Sequence, residues 1–159
     1  MPDRNPMIPA AMNDRPLPTE PSLTIVRRIR APLARVYEAW TDPARLALWW
    51  GPHQTEVEAA ELDVRVGGAF RTVLREESGE RHEVSGVYTE VEPERRLVFT
   101  WSWISTPERR SRVTVEFRSL AEGTEVTLTH DRFADAEAAT RHRRGWTESF
   151  ERLVARLEG

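Results

Sequence analysis

The chain has 159 residues, 39% hydrophobic and 31% charged, with a formal net charge of −3. That length suits one domain with a sizeable core, and the charge argues against a basic field for nucleic acid or an anionic membrane. There is no cysteine, and all 23 basic residues are arginine, which excludes disulfides, thiolate nucleophiles, cysteine-ligated metals, Schiff-base lysines and a Walker-type phosphate loop.

Asparagine is also scarce, with only Asn5 and Asn13, so GC-rich coding is the plainer cause of the bias. No apolar run approaches the roughly 20 residues of a membrane span. Residues 1–20 hold no apolar signal core, so a cytoplasmic location is expected. Six of the eleven prolines fall in residues 1–21, and no aromatic residue precedes Tyr37. That segment buries too little apolar surface to offset its ordering entropy and reads as a disordered tail. All three methionines lie in it, which leaves a later start codon open. The domain is expected over 22–159.

The elements follow in order. Leu23, Ile25 and Ile29 with β-branched neighbours predict a first strand. Ala31-Pro32 opens a helix with an apolar stripe of Val36, Tyr37 and Trp40. Thr41-Asp42-Pro43 ends it and starts a second short helix through Leu46, Leu48 and Trp49, which Trp50-Gly51-Pro52 stops. Thr55–Leu62 is a weak strand. Gly67-Gly68 precedes another over Ala69–Arg75, and Ser78-Gly79 turns a hairpin into His82–Val91. Leu97–Trp103 alternates, with Leu97, Phe99, Trp101 and Trp103 on one face. Val113, Val115 and Phe117, then Val126, Leu128 and His130, mark the last two strands. Short turns throughout predict an antiparallel meander. A long helix, roughly Asp135 to Leu157, carries His142, Trp146, Phe150, Leu153 and Leu157 as one stripe. Gly145 costs about 1 kcal/mol of helix propensity, which a close approach to the sheet would explain. The fold class is α+β: a curved antiparallel sheet wrapped around a long C-terminal helix, with two short helices after the first strand.

The chemistry rests on six tryptophans and four histidines. Plain core packing accounts for any one tryptophan. Together, Trp40, Trp49, Trp50, Trp101, Trp103 and Trp146 are hard to close-pack on a curved sheet and predict a cavity among them. His130 and His142 fall on inward faces and could meet across its mouth, while His53 reads as a loop residue. His82 is also in phase with inward residues. No metal is expected: His82-Glu83 and His130-Asp131 point to opposite faces of their strands, and no His-Glu-x-x-His helix occurs. No nucleophile elbow, dinucleotide fingerprint or carboxylate pair stands out, so no catalytic residue is assigned. The arginine clusters at 27–30, 109–112 and 141–144 are interleaved with acidic residues and read as solvated faces. Arg71 would anchor an anion if it pointed inward.

Trp49-Trp50-Gly51-Pro52, Gly67-Gly68-Ala69-Phe70-Arg71, the run from Gly86 to Pro93, Leu97–Trp103 and His142-Arg143-Arg144-Gly145-Trp146 together resemble the START-related helix-grip superfamily (SRPBCC class). Within it they most resemble the branch homologous to the activator of the heat-shock protein 90 ATPase, over about Ser22 to Glu158. The resemblance implies a hydrophobic cavity between sheet and C-terminal helix. Its cavity positions match Trp101, Trp103, His130, His142 and Trp146. Relatives bind lipids, sterols or polyketides, and a few are cyclases or hydrolases. The expected function is binding of a hydrophobic or aromatic small molecule, without a cofactor, by Trp49, Trp50, Phe70, Tyr88, Phe99, Trp101, Trp103, His130, His142 and Trp146. The alternatives are a cavity enzyme doing acid–base chemistry and a co-chaperone-type interaction module. Self-association is compatible with the resemblance but invisible in these residues, so a homodimer stays open.

Overall fold

The computed structural model describes residues 21–159; the proline-rich segment read as a tail lies, but for Pro21, outside them. The elements run β1 (Leu23–Ile29), α1 (Leu33–Thr41), α2 (Pro43–Leu46), β2 (Thr55–Leu62), β3 (Ala69–Glu76), β4 (Arg81–Glu92), β5 (Arg96–Trp103), β6 (Ser111–Leu120), β7 (Gly123–Asp131) and α3 (Ala136–Glu158). The strands form one antiparallel sheet in the order β1-β7-β6-β5-β4-β3-β2. It curls around α3, the helix-grip arrangement the sequence predicts.

Alternation sets which face is buried. In β6 and β7 the pairs Val113–His130, Val115–Leu128 and Phe117–Val126 stand directly opposite one another, and all six side chains are buried. Opposed pairs of this kind are the unit of sheet cohesion. The facing stripe of α3 is Trp146, Phe150, Leu153 and Leu157, at the four- and three-residue steps of one helix face. Asp135 caps this helix, its Oδ1 accepting from Ala138 N at 2.8 Å.

Two expectations need correction. The second helix stops at Leu46, because Leu48 and Trp49 donate to carbonyls only three residues back, Arg45 and Leu46. This tighter turn lets the Trp49 indole reach the Ala39 carbonyl at 3.0 Å. Gly145 is not a point of close approach either. A Cβ there would meet nothing within 4 Å, so the missing side chain leaves space.

The segment after Trp50 is tied to α3. Gly51 N donates to Ser149 Oγ at 3.1 Å, and Arg152 Nη1 donates to the carbonyls of Gly51 and Pro52, both at 3.0 Å. Gly51 has φ +101, and a Cβ would sit 2.7 Å from Leu74. Only glycine takes this turn without strain. The clamp fixes Trp50 against the helix face that carries Trp146.

Candidate functional site

The six tryptophans form one connected group. Trp40 lies 4.6 Å from Trp49 and 6.2 Å from Trp146 between ring centroids. Trp146 lies 5.3 Å from Trp101, and Trp101 lies 5.6 Å from Trp103. Trp50 bridges Trp101 and Trp146 at 5.8 and 5.4 Å. Helix α1, the α2–β2 turn, β5 and α3 thus converge on one interior.

Four of these indoles have a hydrogen-bond partner. Besides Trp49, Trp50 Nε1 donates to Thr72 Oγ1 at 3.1 Å. Trp146 Nε1 donates to His130 Nδ1 at 3.0 Å, and Trp103 Nε1 donates to His142 Nε2 at 2.9 Å. The buried Nε1 atoms of Trp40 and Trp101 have none among the described residues.

An indole N–H can only donate, so the imidazole nitrogen it meets must be bare. This assigns both histidine tautomers. His130 carries its proton on Nε2 and donates to Ser111 Oγ at 2.7 Å, and Ser111 donates to the Trp101 carbonyl at 3.4 Å. His142 carries its proton on Nδ1 and donates to the Ala138 carbonyl at 2.7 Å. Both rings are therefore neutral. Burial pushes the His130 pKa well below its ordinary value, and the neighbouring His142, which would compete for a charge, lowers it further. Burial lowers His142 too, more strongly than its Ala138 bond raises it. Ser111 and His130 are within bonding distance, but the proton points from the ring to the hydroxyl. His130 cannot then act as base toward Ser111.

A cavity of about 430 Å³ opens between β5 and α3. Of the expected ligand-binding residues, Trp50, Trp101, Trp103, His142 and Trp146 line it. His130 does not. It is fully buried behind the wall, bonded to Trp146 and Ser111. Phe70, Tyr88 and Phe99 do not either. They close around a gap of only about 10 Å³ farther along the same sheet face, with Phe99 5.2 Å from Phe70 and 5.8 Å from Tyr88. Burial raises the Tyr88 pKa strongly. Trp49 packs edge-on against Trp40 in the core.

Sequence reasoning missed several wall residues: Phe133, Ala138 and Gly145, and the polar Ser105, Thr106, Arg109, Ser111, Arg132 and Arg141. Most sit in connections, where strand and helix periodicity carries no signal. Phe133 was findable, as an apolar residue just before the cap of α3.

Arg71 points away from this cavity. It binds Glu83 through Nε at 2.9 Å and Glu61 through Nη1 at 3.2 Å on the outer face, which disposes of the inward anchor. The arginine runs meet neighbouring carboxylates: Arg28 with Glu125, Arg109 with Asp135, Arg112 with Asp131, Arg144 with Glu148. Among the described residues one group has metal-ligand spacing: Glu76, Glu80 and His82, with ligand atoms within 4.8 Å of one another. The β3–β4 hairpin assembles it across its turn. His82 and Glu83 do face apart, but the turn brings other carboxylates to His82. Its ring is bonded to Glu76, and Glu80 is exposed.

The model for the family described as activator of Hsp90 ATPase homolog 1-like protein matches residues 30–158. A solved protein from Chromobacterium violaceum is similar at 28% identity over 87% of this chain and 99% of its own, with a TM-score of 0.81. The AHSA1 protein of Silicibacter pomeroyi is 30% identical over 86% of this chain and 97% of its own, with a TM-score of 0.78. DynU16, described as a putative protein in the dynemicin biosynthetic locus, is 25% identical over 86% of this chain and 47% of its own, with a TM-score of 0.70. Among curated proteins none matches. Among the described residues no helix is long and apolar enough to cross a membrane.

Proposed function

Since the chain belongs to the activator of Hsp90 ATPase homolog 1-like family, whose fold commonly binds hydrophobic ligands, we propose that it binds a hydrophobic or aromatic small molecule in the cavity between β5 and α3. The observation that carries this reading is the cavity itself. Its 430 Å³ falls within the ~300–1,000 Å³ of small-molecule sites. Its walls are the indoles of Trp50, Trp101, Trp103 and Trp146 with Phe133, which give non-directional burial and flat stacking faces.

The acid–base alternative needs a histidine or carboxylate free to face a substrate. The Trp103 and Trp146 indoles occupy the lone pairs of His142 and His130, and the wall carboxylate Glu76 is engaged by His82, which favours binding over catalysis. The interaction-module alternative needs a broad exposed apolar patch. Among the described residues the exposed large apolar side chains are Val26, Leu48, Val66, Val87 and Ile104, and Val26 on β1 lies at the opposite edge of the sheet from Val66 beside β2, which favours the cavity. A ligand screen by thermal shift and tryptophan quenching tests the reading. Saturable quenching with a raised Tm is expected; no saturable response from lipid-like or polycyclic aromatic compounds would contradict it.

A further inference from the structure

The cavity wall is apolar in its depth and cationic at its rim. Among the described residues Arg109, Arg132 and Arg141 line it, against a single carboxylate, Glu76, which is engaged by His82. This is a local reversal of sign in a chain whose net charge is −3. Two of the three guanidiniums are shared with neighbours: Arg109 lies 3.7 Å from Asp135, and Arg141 lies 3.3 Å from Glu137. Arg132 differs: among the described residues its side chain makes no hydrogen bond or ion pair.

The backbone at Arg132 is a second, independent observation. Its φ is +65, in the left-handed region where a side chain with a Cβ is disfavoured. Glycine would hold this turn without strain. An arginine in that conformation, exposed at a cavity mouth and without a side-chain partner among the described residues, carries a backbone cost that glycine would not. Strain of this sort gathers at ligand clamps. Phe133, the next residue, forms part of the apolar wall. The connection from β7 to α3 therefore sets a charged side chain and an aromatic ring side by side, one at the rim and one inside.

Resting on the cavity reading above, we propose that the ligand is an amphipathic anion, an apolar body ending in a carboxylate or phosphate head. The body lies among Trp101, Trp103, Phe133 and Trp146. The head meets Arg132, whose planar guanidinium can give two parallel N–H donors to such a group. Arg109 and Arg141 add a favourable field without having to leave their partners. Ser105 and Thr106, on the β5–β6 connection at the same rim, supply hydroxyl donors. Arg132 is thus a specificity-determining residue, choosing the head while the tryptophans accept the body.

The test uses the full chain and four probes with the same ten-carbon tail: decanoate, decyl phosphate, the neutral decanamide and the cationic decylammonium. Affinities are read by tryptophan quenching. At least one anion is expected to bind about tenfold or more tighter than decanamide, with decylammonium weakest, and the tighter anion identifies the head. Arg132→Gly removes the guanidinium and relieves the left-handed strain together. It should lose about tenfold in anion affinity, leave decanamide unchanged, and keep or raise the Tm, so that misfolding does not explain the loss. Equal binding of decanamide and the anions, or unchanged anion binding in Arg132→Gly, would overturn the proposal and leave the cavity reading standing. Saturable binding by none of the four would bring down the cavity reading and this proposal with it.

Discussion

The inner face of the sheet has two aromatic halves with opposite outcomes. In one, Trp40, Phe70, Tyr88, Leu97 and Phe99 close to a gap of about 10 Å³, room for a single water at most. In the other, Trp101, Trp103, Phe133 and Trp146 surround about 430 Å³. Both use large flat side chains on alternating strand positions, so residue type does not separate them. What separates them is the element laid over the sheet. Helices α1 and α2 place Trp40 and Leu46 against the first half. Before Trp146, α3 offers the second half Ala138, Arg141, His142 and Gly145, with no bulky apolar side chain among them, and a Cβ at Gly145 would touch nothing.

Several changes would break or sharpen that contrast. The largest effect is expected from Phe99→Ala in the closed half, which should cost about 3–5 kcal/mol because the packed surroundings cannot collapse. Trp103→Ala in the open half removes a half-buried ring beside existing space and should cost only about 1–2 kcal/mol. It should abolish ligand quenching, whereas Phe99→Ala at a temperature where it folds should retain it. Urea denaturation with parallel ligand titration reads both. Equal costs would mean that the two halves do not differ in packing.

The histidine network gives the next effect. The folded protein holds His130 and His142 neutral, while the unfolded chain takes up their protons as pH falls below about 6.5. Stability is therefore retained above about pH 6.5 and lost below it, until the lowered folded values are passed. Each histidine contributes up to about 1.4 kcal/mol per pH unit in that window. Chemical denaturation between pH 7.5 and 5 should show the fall, and His142→Gln should make it shallower. A flat profile would contradict the neutral assignment.

A smaller contrast lies within the indoles. Trp146→Phe leaves His130 Nδ1 without its donor, whereas Trp101→Phe removes a donor that has no partner. Trp146→Phe should be the costlier by about 1–2 kcal/mol, and matched Tm values of the two variants would refute that. The smallest effect is Gly145→Ala. It should stabilise α3 by somewhat under 1 kcal/mol, since the new methyl meets no clash. A loss of stability, measured in the same denaturation assay, would restore the close-approach reading.

The fold was largely legible from the chain because its periodicity is clean. Leu23–Ile29 and the stripe of α3 carry their burial in plain spacing. Residues 55–62 read weakly because Ala59 and Ala60 dilute the alternation, and the strand has a bulge between Val57 and Ala59. The site was half legible. Periodicity could tell that Phe99 and Trp101 both face inward, and it could not tell which of them a helix would cover. It placed His130 inward correctly but could not separate a wall from the layer behind it. The rim arginines were invisible for another reason: Arg109 and Arg132 sit in connections, where side-chain direction follows turn geometry. Glu76 and His82 were missed as partners because a hairpin, not a strand period, brings them together.

The central claim is that the open half receives a ligand and the closed half does not. Six indole N–H resonances in one ¹⁵N-resolved spectrum test both halves at once, with decanoate or the best compound of the screen as titrant. The account predicts saturable shifts for Trp101, Trp103 and Trp146, and an unmoved Trp49, whose N–H is held by the Ala39 carbonyl in the core. A Trp49 shift with the three cavity indoles unmoved, or no saturable shift in any of the six, would contradict it.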